Sequence, residues 1–231
     1  MNNQINLNLR SFEAFKDISA SNLQKIGDES ELLRYQLGHP ICNKKDLIPN
    51  KILIILSGEA RLLHGTTYEA RTISKLGSDS FIGLASLLRE KGCELIVASK
   101  DVLALAIPDS LVIQLYKEES GFRNWCNTNI QRAEIYEIAN QIAKDNNRED
   151  KDLKDFFEQL LITSKVEVIE NNSNVPRKEN HIAIVGSNNT IDYQIGQIIE
   201  PGINIKTNGF LPARIFYIDK KSFNQIKNSN I

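Results

Sequence analysis

The clearest pattern in the chain is a series of short apolar runs, separated by glycine-containing turns, between residues 52 and 107. The runs ILIIL, LIVAS and VLALAI have the length of strands, and residues 59–65 alternate polar and apolar side chains as a half-buried strand does. Phe81 to Leu88 starts extended and continues as one helical turn. The pattern predicts a β-rich domain that contains a short helix.

Helical spacing precedes and follows these strands. Residues 11–27 carry apolar side chains at helical intervals, with Ser19 or Ser21 as a cap and Gly27 as the end of the second helical piece. Residues 120–144 show apolar spacings of three and four. This spacing predicts one long amphipathic helix.

The second half of the chain has a different pattern. Residues 145–155 are too polar for a core and predict a linker or the solvated start of the helix DLKDFFEQLL. Residues 165–231 then look mostly β and end in a short helix. We therefore predict two domains, residues 1–146 and 147–231.

Three segments of the second domain echo the first. HIAIVGSNN, YQIGQII and ARIFYIDKKSFNQI are similar, in that order, to ILIILSGEA, SFIGLAS and VLALAIPDSLVIQL. The match is short and mostly apolar. An internal repeat and the common pattern of β proteins are both open explanations.

Composition narrows the class of protein. The chain has 231 residues, of which 41% are hydrophobic and 25% charged, and its formal net charge is -1. These values are typical of a soluble globular protein without general attraction to phosphate backbones or anionic lipid. No apolar run has the length of a membrane span, so we expect a cytoplasmic protein without direct membrane insertion and without a nucleic-acid partner. The cysteines (Cys42, Cys93 and Cys126) and the three histidines are scattered, which predicts no disulfide, no metal site and no cofactor.

A set of motifs along residues 11–144 resembles a known family. The motifs are the Ile18 to Leu23 step, the Ser57-Gly58-Glu59 turn, the Gly77 turn, the FIGLASLL segment and the VLALAIP strand. In this order they resemble the cyclic nucleotide-binding domains of cAMP receptor proteins and kinase regulatory subunits. The resemblance implies a mainly β fold with flanking helices. Its core is a β-roll (a double-stranded β-helix or jelly roll), which a long helix and a second, smaller β-rich domain follow here.

The resemblance also implies where a ligand site would lie. The candidate cassette residues are Phe81, Gly83, Leu84, Ala85, Ser86, Arg89 and Cys93. In the family a cassette glutamate binds the ribose and an arginine binds the phosphate. Here the glutamate position holds Gly83, and the arginine position and its hydroxylated neighbour fall near Gly92 and Cys93.

Both charged ligands of the family are therefore missing from the cassette. Arg89 and Lys91 lie in the same loop, but we expect them to be solvated loop charges. Ser86 and the backbone N–H groups of residues 83–86 remain available to an anion or a carbonyl. The sequence thus predicts a cassette-shaped loop that does not bind cAMP or cGMP.

These observations favour a non-catalytic regulatory or interaction module. The chain also resembles degenerate domains that precede the peptidase and ABC segments of bacterial, notably cyanobacterial, peptide exporters, which adds a linked C-terminal transporter segment to the candidate protein partners. One alternative is a transcription regulator of the cAMP-receptor type, although residues 150–231 predict one helix and then strands instead of a helix-turn-helix. The other alternative is a sensor of a cyclic nucleotide or another small ligand with a non-standard cassette.

Two further hypotheses concern catalysis and assembly. An enzyme on such a roll would need a metal triad, an acid–base pair or a base beside Cys93, and the sequence offers none of these. We therefore expect no enzyme. The 120–144 helix predicts either a homodimer or packing on its own roll, and its apolar positions Ile130, Ala133, Ile138 and Ile142 fit both.

Overall fold

The fold is mainly β with flanking helices, as the sequence predicts. An N-terminal roll and a smaller C-terminal β-rich unit are joined by a group of helices. The computed structural model describes residues 8–42, 47–65, 69–146 and 153–228.

The chain enters the roll through helical turns. Two 3₁₀ turns, Leu9–Ser11 and Glu13–Phe15, precede helix α1, Ala20–Glu29. Ser19 caps α1, because its Oγ accepts a hydrogen bond from a backbone N–H of the first turn. The prediction that Gly27 ends this helix is wrong: Gly27 does not adopt the left-handed backbone of a helix terminator, and the helix continues to Glu29.

The N-terminal roll consists of two facing antiparallel sheets. Its strands β1 to β8 are Glu31–Tyr35, Pro40–Cys42, Lys51–Ser57, Ala60–His64, Arg71–Leu76, Phe81–Ile82, Ile96–Ala98 and Val102–Pro108. The sheet orders are β1-β8-β3-β6 and β2-β7-β4-β5. Leu53 and Ala104 of the first sheet share one buried cluster with Leu62 and Ile96 of the second. The predicted β-roll is therefore confirmed.

One short helix lies within the roll, between β6 and β7, and three more follow β8. Helices α2 to α5 are Leu84–Leu88, Asp109–Glu118, Ser120–Thr128 and Arg132–Asp145. The prediction of one long helix over 120–144 is wrong, because the backbone is extended at Asn129 (ψ 131°) and Gln131 (ψ 139°). Gln131 and Glu134 form a capping box that starts α5. Apolar spacings of three and four run through both helices, and periodicity alone therefore does not reveal the break.

The apolar face of α5 is buried within this chain. Ala133, Ile138 and Ile142 belong to the core cluster that contains the roll and helix α6, Leu153–Thr163. Ile130 packs against the same cluster while partly exposed. A homodimer through residues 120–144 stays a prediction, and it would have to use other positions of the helix.

The C-terminal unit repeats the sheet order of the roll. Its strands β9 to β14 and helix α7 are Ser164–Ile169, Ser173–Asn174, His181–Val185, Ile198–Ile199, Asn204–Ile205, Ala213–Asp219 and Lys220–Asn228. The antiparallel order β9-β14-β11-β12 matches β1-β8-β3-β6, and α7 follows β14 as α3 follows β8. The predicted helix after residue 152 and the predicted strands of this half are confirmed.

Two differences separate the C-terminal unit from the roll. After β12, residues 200–203 form a turn where the roll has helix α2. The opposing sheet is reduced to the pair β10-β13. The internal echo therefore extends to sheet topology, but the position equivalent to the cassette holds no helix. The predicted boundary between residues 146 and 147 borders residues 147–152, which lie outside the described residues.

One hydrophobic cluster extends across both units. Ile184, Phe216 and Ile218, from one face of the C-terminal sheet, are buried together with α5, α6 and side chains of the roll. Val185 and Ile215, from the other face, belong to a separate core inside the C-terminal unit. Among the described residues, no helix has the length and apolar character that a membrane crossing requires.

Candidate functional site

The helix of the cassette starts immediately after a glycine that no larger residue could replace without strain. Gly83 has a φ of +90° and stands immediately before α2. A Cβ atom on Gly83 would lie 3.1 Å from Pro49 Cγ, 3.2 Å from Ile52 Cδ1 and 3.3 Å from the Lys51 carbonyl oxygen. The left-handed backbone and these walls together explain glycine here.

The buried carboxylate of Glu94 accepts hydrogen bonds from two residues of the cassette. Glu94 is 2% exposed. Its Oε1 accepts a hydrogen bond from the Gly83 N–H at 2.8 Å, and its Oε2 accepts one from the Ser86 hydroxyl at 2.6 Å. The Ser86 oxygen in turn accepts the Cys93 N–H at 3.2 Å. Burial raises the pKa of the Glu94 carboxyl, and the bonds from Ser86 and Gly83 lower it in part.

The cysteine of the cassette is a buried thiol. Cys93 Sγ lies 3.7 Å from Ser86 Oγ. Burial raises the pKa of this thiol to about 12. The thiol is therefore protonated at neutral pH, and this state does not suit a nucleophile.

Arg89 reaches from the cassette into the C-terminal unit, and its side chain also lies close to Cys93. The prediction that it is a solvated loop charge is wrong, because its side chain is 1% exposed. Its Nε donates to the Gly186 carbonyl at 2.6 Å, and its own carbonyl accepts the Asn188 N–H at 2.8 Å. Lys91 is exposed, as predicted. The burial of Arg89 follows from tertiary packing that the local sequence does not indicate.

Glu90 continues this contact between the cassette loop and the C-terminal unit. It adopts a left-handed backbone with a φ of 52°. Its Oε1 accepts the Leu211 N–H at 2.9 Å and lies 3.4 Å from Asn189 Nδ2. Residues 89 and 90 therefore bind the cassette to the second unit through backbone and side-chain hydrogen bonds.

A second buried contact joins the C-terminal unit to the junction between α4 and α5. Arg214 of β14 is 1% exposed and its partner Glu134 of α5 is 0% exposed. The Arg214 Nε and Nη2 atoms donate to the two Glu134 carboxylate oxygens at 2.5 and 3.0 Å. Nη1 and Nη2 also donate to the carbonyls of Cys126 and Asn129 at 2.8 and 3.1 Å. One guanidinium thus binds the end of α4 and the first turn of α5.

A cavity of about 180 Å³ lies between the cassette, the roll and this helix junction. Leu62, Leu76 and Ile96 give it apolar walls. Phe81 and Trp125 line it as an aromatic pair with ring centroids 5.0 Å apart. The remaining lining residues are polar or lie at the junction: Asp79, Ser80, Glu94, Asn129, Ile130, Gln131, Arg132 and Ala133.

Solved structures similar to this chain include three proteins with regulatory roles in their names. The regulatory domain of Toxoplasma gondii PKA, in complex with cAMP, is 14% identical, with a TM-score of 0.44 over 96% of this chain and 90% of that chain. The sensor domain of the transcriptional regulator DNR from Pseudomonas aeruginosa is 10% identical, with a TM-score of 0.45 over 62% and 91%. The Thermus thermophilus Catabolite Activator Protein is 17% identical, with a TM-score of 0.41 over 58% and 68%.

Searches by sequence add no relative. A scan against the models of known families finds no match, and a search of curated proteins finds none either. At these TM-scores the structural likeness indicates neither a ligand nor an activity for this chain. The side chains of the site must therefore supply that argument.

The structure places the predicted cassette residues in three different surroundings. Gly83 and Ser86 bind Glu94, and Phe81 lines the cavity. Leu84 and Ala85 are buried in the two hydrophobic clusters on either side of α2. Arg89 and Cys93 are buried outside the cavity lining.

The sequence interpretation missed the residues that dominate the site. Glu94, Glu134 and Arg214 are buried and polar, and each finds its partner through the tertiary fold. Glu94 stands alone before the apolar run LIVAS, a position that a solvent-exposed strand end also explains. Arg214 interrupts the apolar run of β14, and this interruption was a usable signal of a buried charge.

Proposed function

We propose that this chain is a non-catalytic regulatory or interaction module that does not bind cAMP or cGMP with useful affinity. The proposal rests on the hydrogen bonds that the Glu94 carboxylate accepts from the cassette. Gly83 N–H and the Ser86 hydroxyl already bind this internal acid. A cyclic phosphate would have to displace it or share the site with it.

Electrostatics opposes that exchange. An ionised Glu94 would repel a phosphate, because two unit negative charges 4 Å apart repel by about 4 kcal/mol at an effective dielectric constant of about 20. No ion pair to Glu94 occurs among the described residues, so no cation offsets the repulsion. Arg89 would be the natural counter-charge, but it donates to the Gly186 carbonyl.

The output of such a module is contact with another protein. The cassette loop and the α4–α5 junction are both bound to the C-terminal unit, so a signal that moves one of them has a direct path to the other. A protein partner, including a linked transporter segment, is the partner class that we expect. The described part of the C-terminal unit forms a β sheet between α6 and α7, which favours this partner class over DNA.

Calorimetric titration of the full chain with cAMP and with cGMP tests the proposal. We expect no binding of micromolar or tighter affinity. A Glu94→Gln variant removes the charge. Its amide oxygen can accept from the Gly83 N–H, but its amide nitrogen has to donate to the Ser86 oxygen instead of accepting from the hydroxyl. The variant should bind cAMP at least tenfold more tightly than the wild type, as measured by nuclear magnetic resonance at millimolar nucleotide. Glu158→Gln, an exposed position on α6, is the matched control.

Two results would contradict this reasoning. Micromolar binding of either nucleotide by the wild type would show that the cassette still functions as a nucleotide site. Equal cAMP affinity of the Glu94→Gln variant and the wild type would show that the carboxylate is not the obstacle.

A further inference from the structure

The cavity between the cassette and the α4–α5 junction has the features of a binding site for a ligand of opposite charge. Its volume of about 180 Å³ is below the roughly 300 Å³ at which sites for drug-sized ligands begin. A single water needs roughly 10–15 Å³ of such volume, so the cavity has room for a compact molecule of roughly a dozen atoms.

The strongest polar feature of this cavity is a buried acid that forms no ion pair with any residue that the structure describes. Glu94 lines the cavity and is almost fully buried. Its two oxygens accept hydrogen bonds from Gly83 and Ser86, and the two oxygens of a carboxylate can together accept about four. Burial without a cation disfavours the ionised form of this carboxyl, in agreement with its raised pKa, and a cation in the cavity would stabilise that form.

The walls of the cavity suit an apolar, flat body. Phe81 and Trp125 provide an aromatic side, and Leu62, Leu76 and Ile96 provide an aliphatic one. Aromatic faces also attract cations through the ring quadrupole, and tryptophan does so most strongly.

We propose that this cavity binds a small organic cation, whose amidinium or ammonium group donates to Glu94 and whose apolar body lies against Trp125 and Leu76. The proposal is independent of the absence of cyclic-nucleotide binding, because it concerns a different ligand and a different measurement. It makes the module a receptor for a small metabolite with a positively charged nitrogen group.

The other charged residues of the lining leave this preference intact. Arg132 is exposed at the rim, and its Nη1 donates to Ser74 Oγ at 2.9 Å. Asp79 is exposed at the rim as well and adds a negative charge. Because Glu94 is the buried member of the three, its charge is the least screened by solvent. The lining therefore selects against an anion.

Trp125 makes the test direct, since it is the only tryptophan of the chain. Its fluorescence, together with calorimetry, should report titration of the full chain with benzamidine, and with benzamide and benzoate as neutral and anionic molecules of the same shape. We expect benzamidine to bind at millimolar concentration or below, and the other two at least tenfold more weakly. The Glu94→Gln variant should lose at least tenfold in benzamidine affinity, and the Glu158→Gln control should lose none.

The possible results separate clearly. Equal affinity for benzamidine and benzamide, preferential binding of benzoate, or unchanged benzamidine binding by Glu94→Gln would each overturn the proposal, as would no binding of benzamidine at all. A thermal unfolding transition verifies that the variant is folded. The three-ligand series on the wild type decides the matter by itself if that variant does not fold.

Discussion

The ion pair between Arg214 and Glu134 allows a quantitative prediction. Replacing Arg214 with methionine removes two bonds to the Glu134 carboxylate and two bonds to backbone carbonyls. It leaves Glu134, which is fully buried, with the Gln131 N–H at 2.9 Å as its remaining donor among the described residues. Breaking one side of a buried pair costs about 3–5 kcal/mol. This is a large part of the 5–15 kcal/mol by which native proteins are typically stable.

Urea unfolding followed by circular dichroism and tryptophan fluorescence gives the free energy of unfolding. We expect Arg214→Met to lower it by about 3–5 kcal/mol. Glu134→Gln should cost less, about 1.5–3 kcal/mol, because the amide oxygen still accepts from the guanidinium. The double variant should be less destabilised than the sum of the two single variants by about 2 kcal/mol, the coupling of two residues in contact.

A surface ion pair provides the control. Lys51 and Glu31 form an exposed pair across the end of the first sheet, and Lys51→Met should cost less than about 1 kcal/mol. If Arg214→Met costs no more than Lys51→Met, the buried pair does not hold the two units together. If the costs of the double variant simply add, Arg214 and Glu134 do not act as a pair.

Three further predictions concern single positions. Burial raises the pKa of the Glu94 carboxyl in the folded state. The stability that this group contributes is therefore fully present below its unfolded-state pKa near 4.5, and it is lost as the pH rises through the raised folded-state pKa. Glu94→Gln should therefore flatten that part of the stability profile and stabilise the chain at neutral pH; an unchanged profile would contradict the assignment. Gly27→Ala should raise the unfolding free energy by about 0.5–1 kcal/mol in the same urea assay, since a Cβ there meets nothing within 4 Å in α1. Iodoacetamide at neutral pH should label Cys42, which is partly exposed, and spare Cys93 and Cys126, whose thiol pKa values burial raises; mass spectrometry showing early labelling of either would contradict the buried positions.

The fold could be predicted from local patterns because its strands are short apolar runs between turns. Residues 51–57 and 102–108 have the strand length and burial that their sequence indicates. The order of the motifs then predicted the roll. Local patterns failed where two helices share one apolar periodicity, as on either side of Asn129.

The site was less predictable, because its polar contacts are long-range. Glu134 and Arg214 are 80 positions apart in the chain, and Arg89 and Gly186 are 97 apart. Motif comparison correctly drew attention to residues 81–93. It predicted that, without the two charged ligands, the hydrogen-bond donors of the cassette stay available to an anion. It had no means of showing that Glu94, the next residue along, had taken up the donors.

The left-handed backbone at Gly83 also bears on how this protein could change by mutation. Glycine and glutamate are separated by a single base change in the genetic code, so the acid of the cassette that these residues resemble is one mutation away from Gly83. The φ of +90° and the walls formed by Pro49, Ile52 and Lys51 make that change a strained one. A variant that acquired the acid would first need compensating changes in strand β3 and the residues before it. The backbone geometry of this one residue therefore means that a glutamate at position 83 requires several substitutions, although a single base change would encode it.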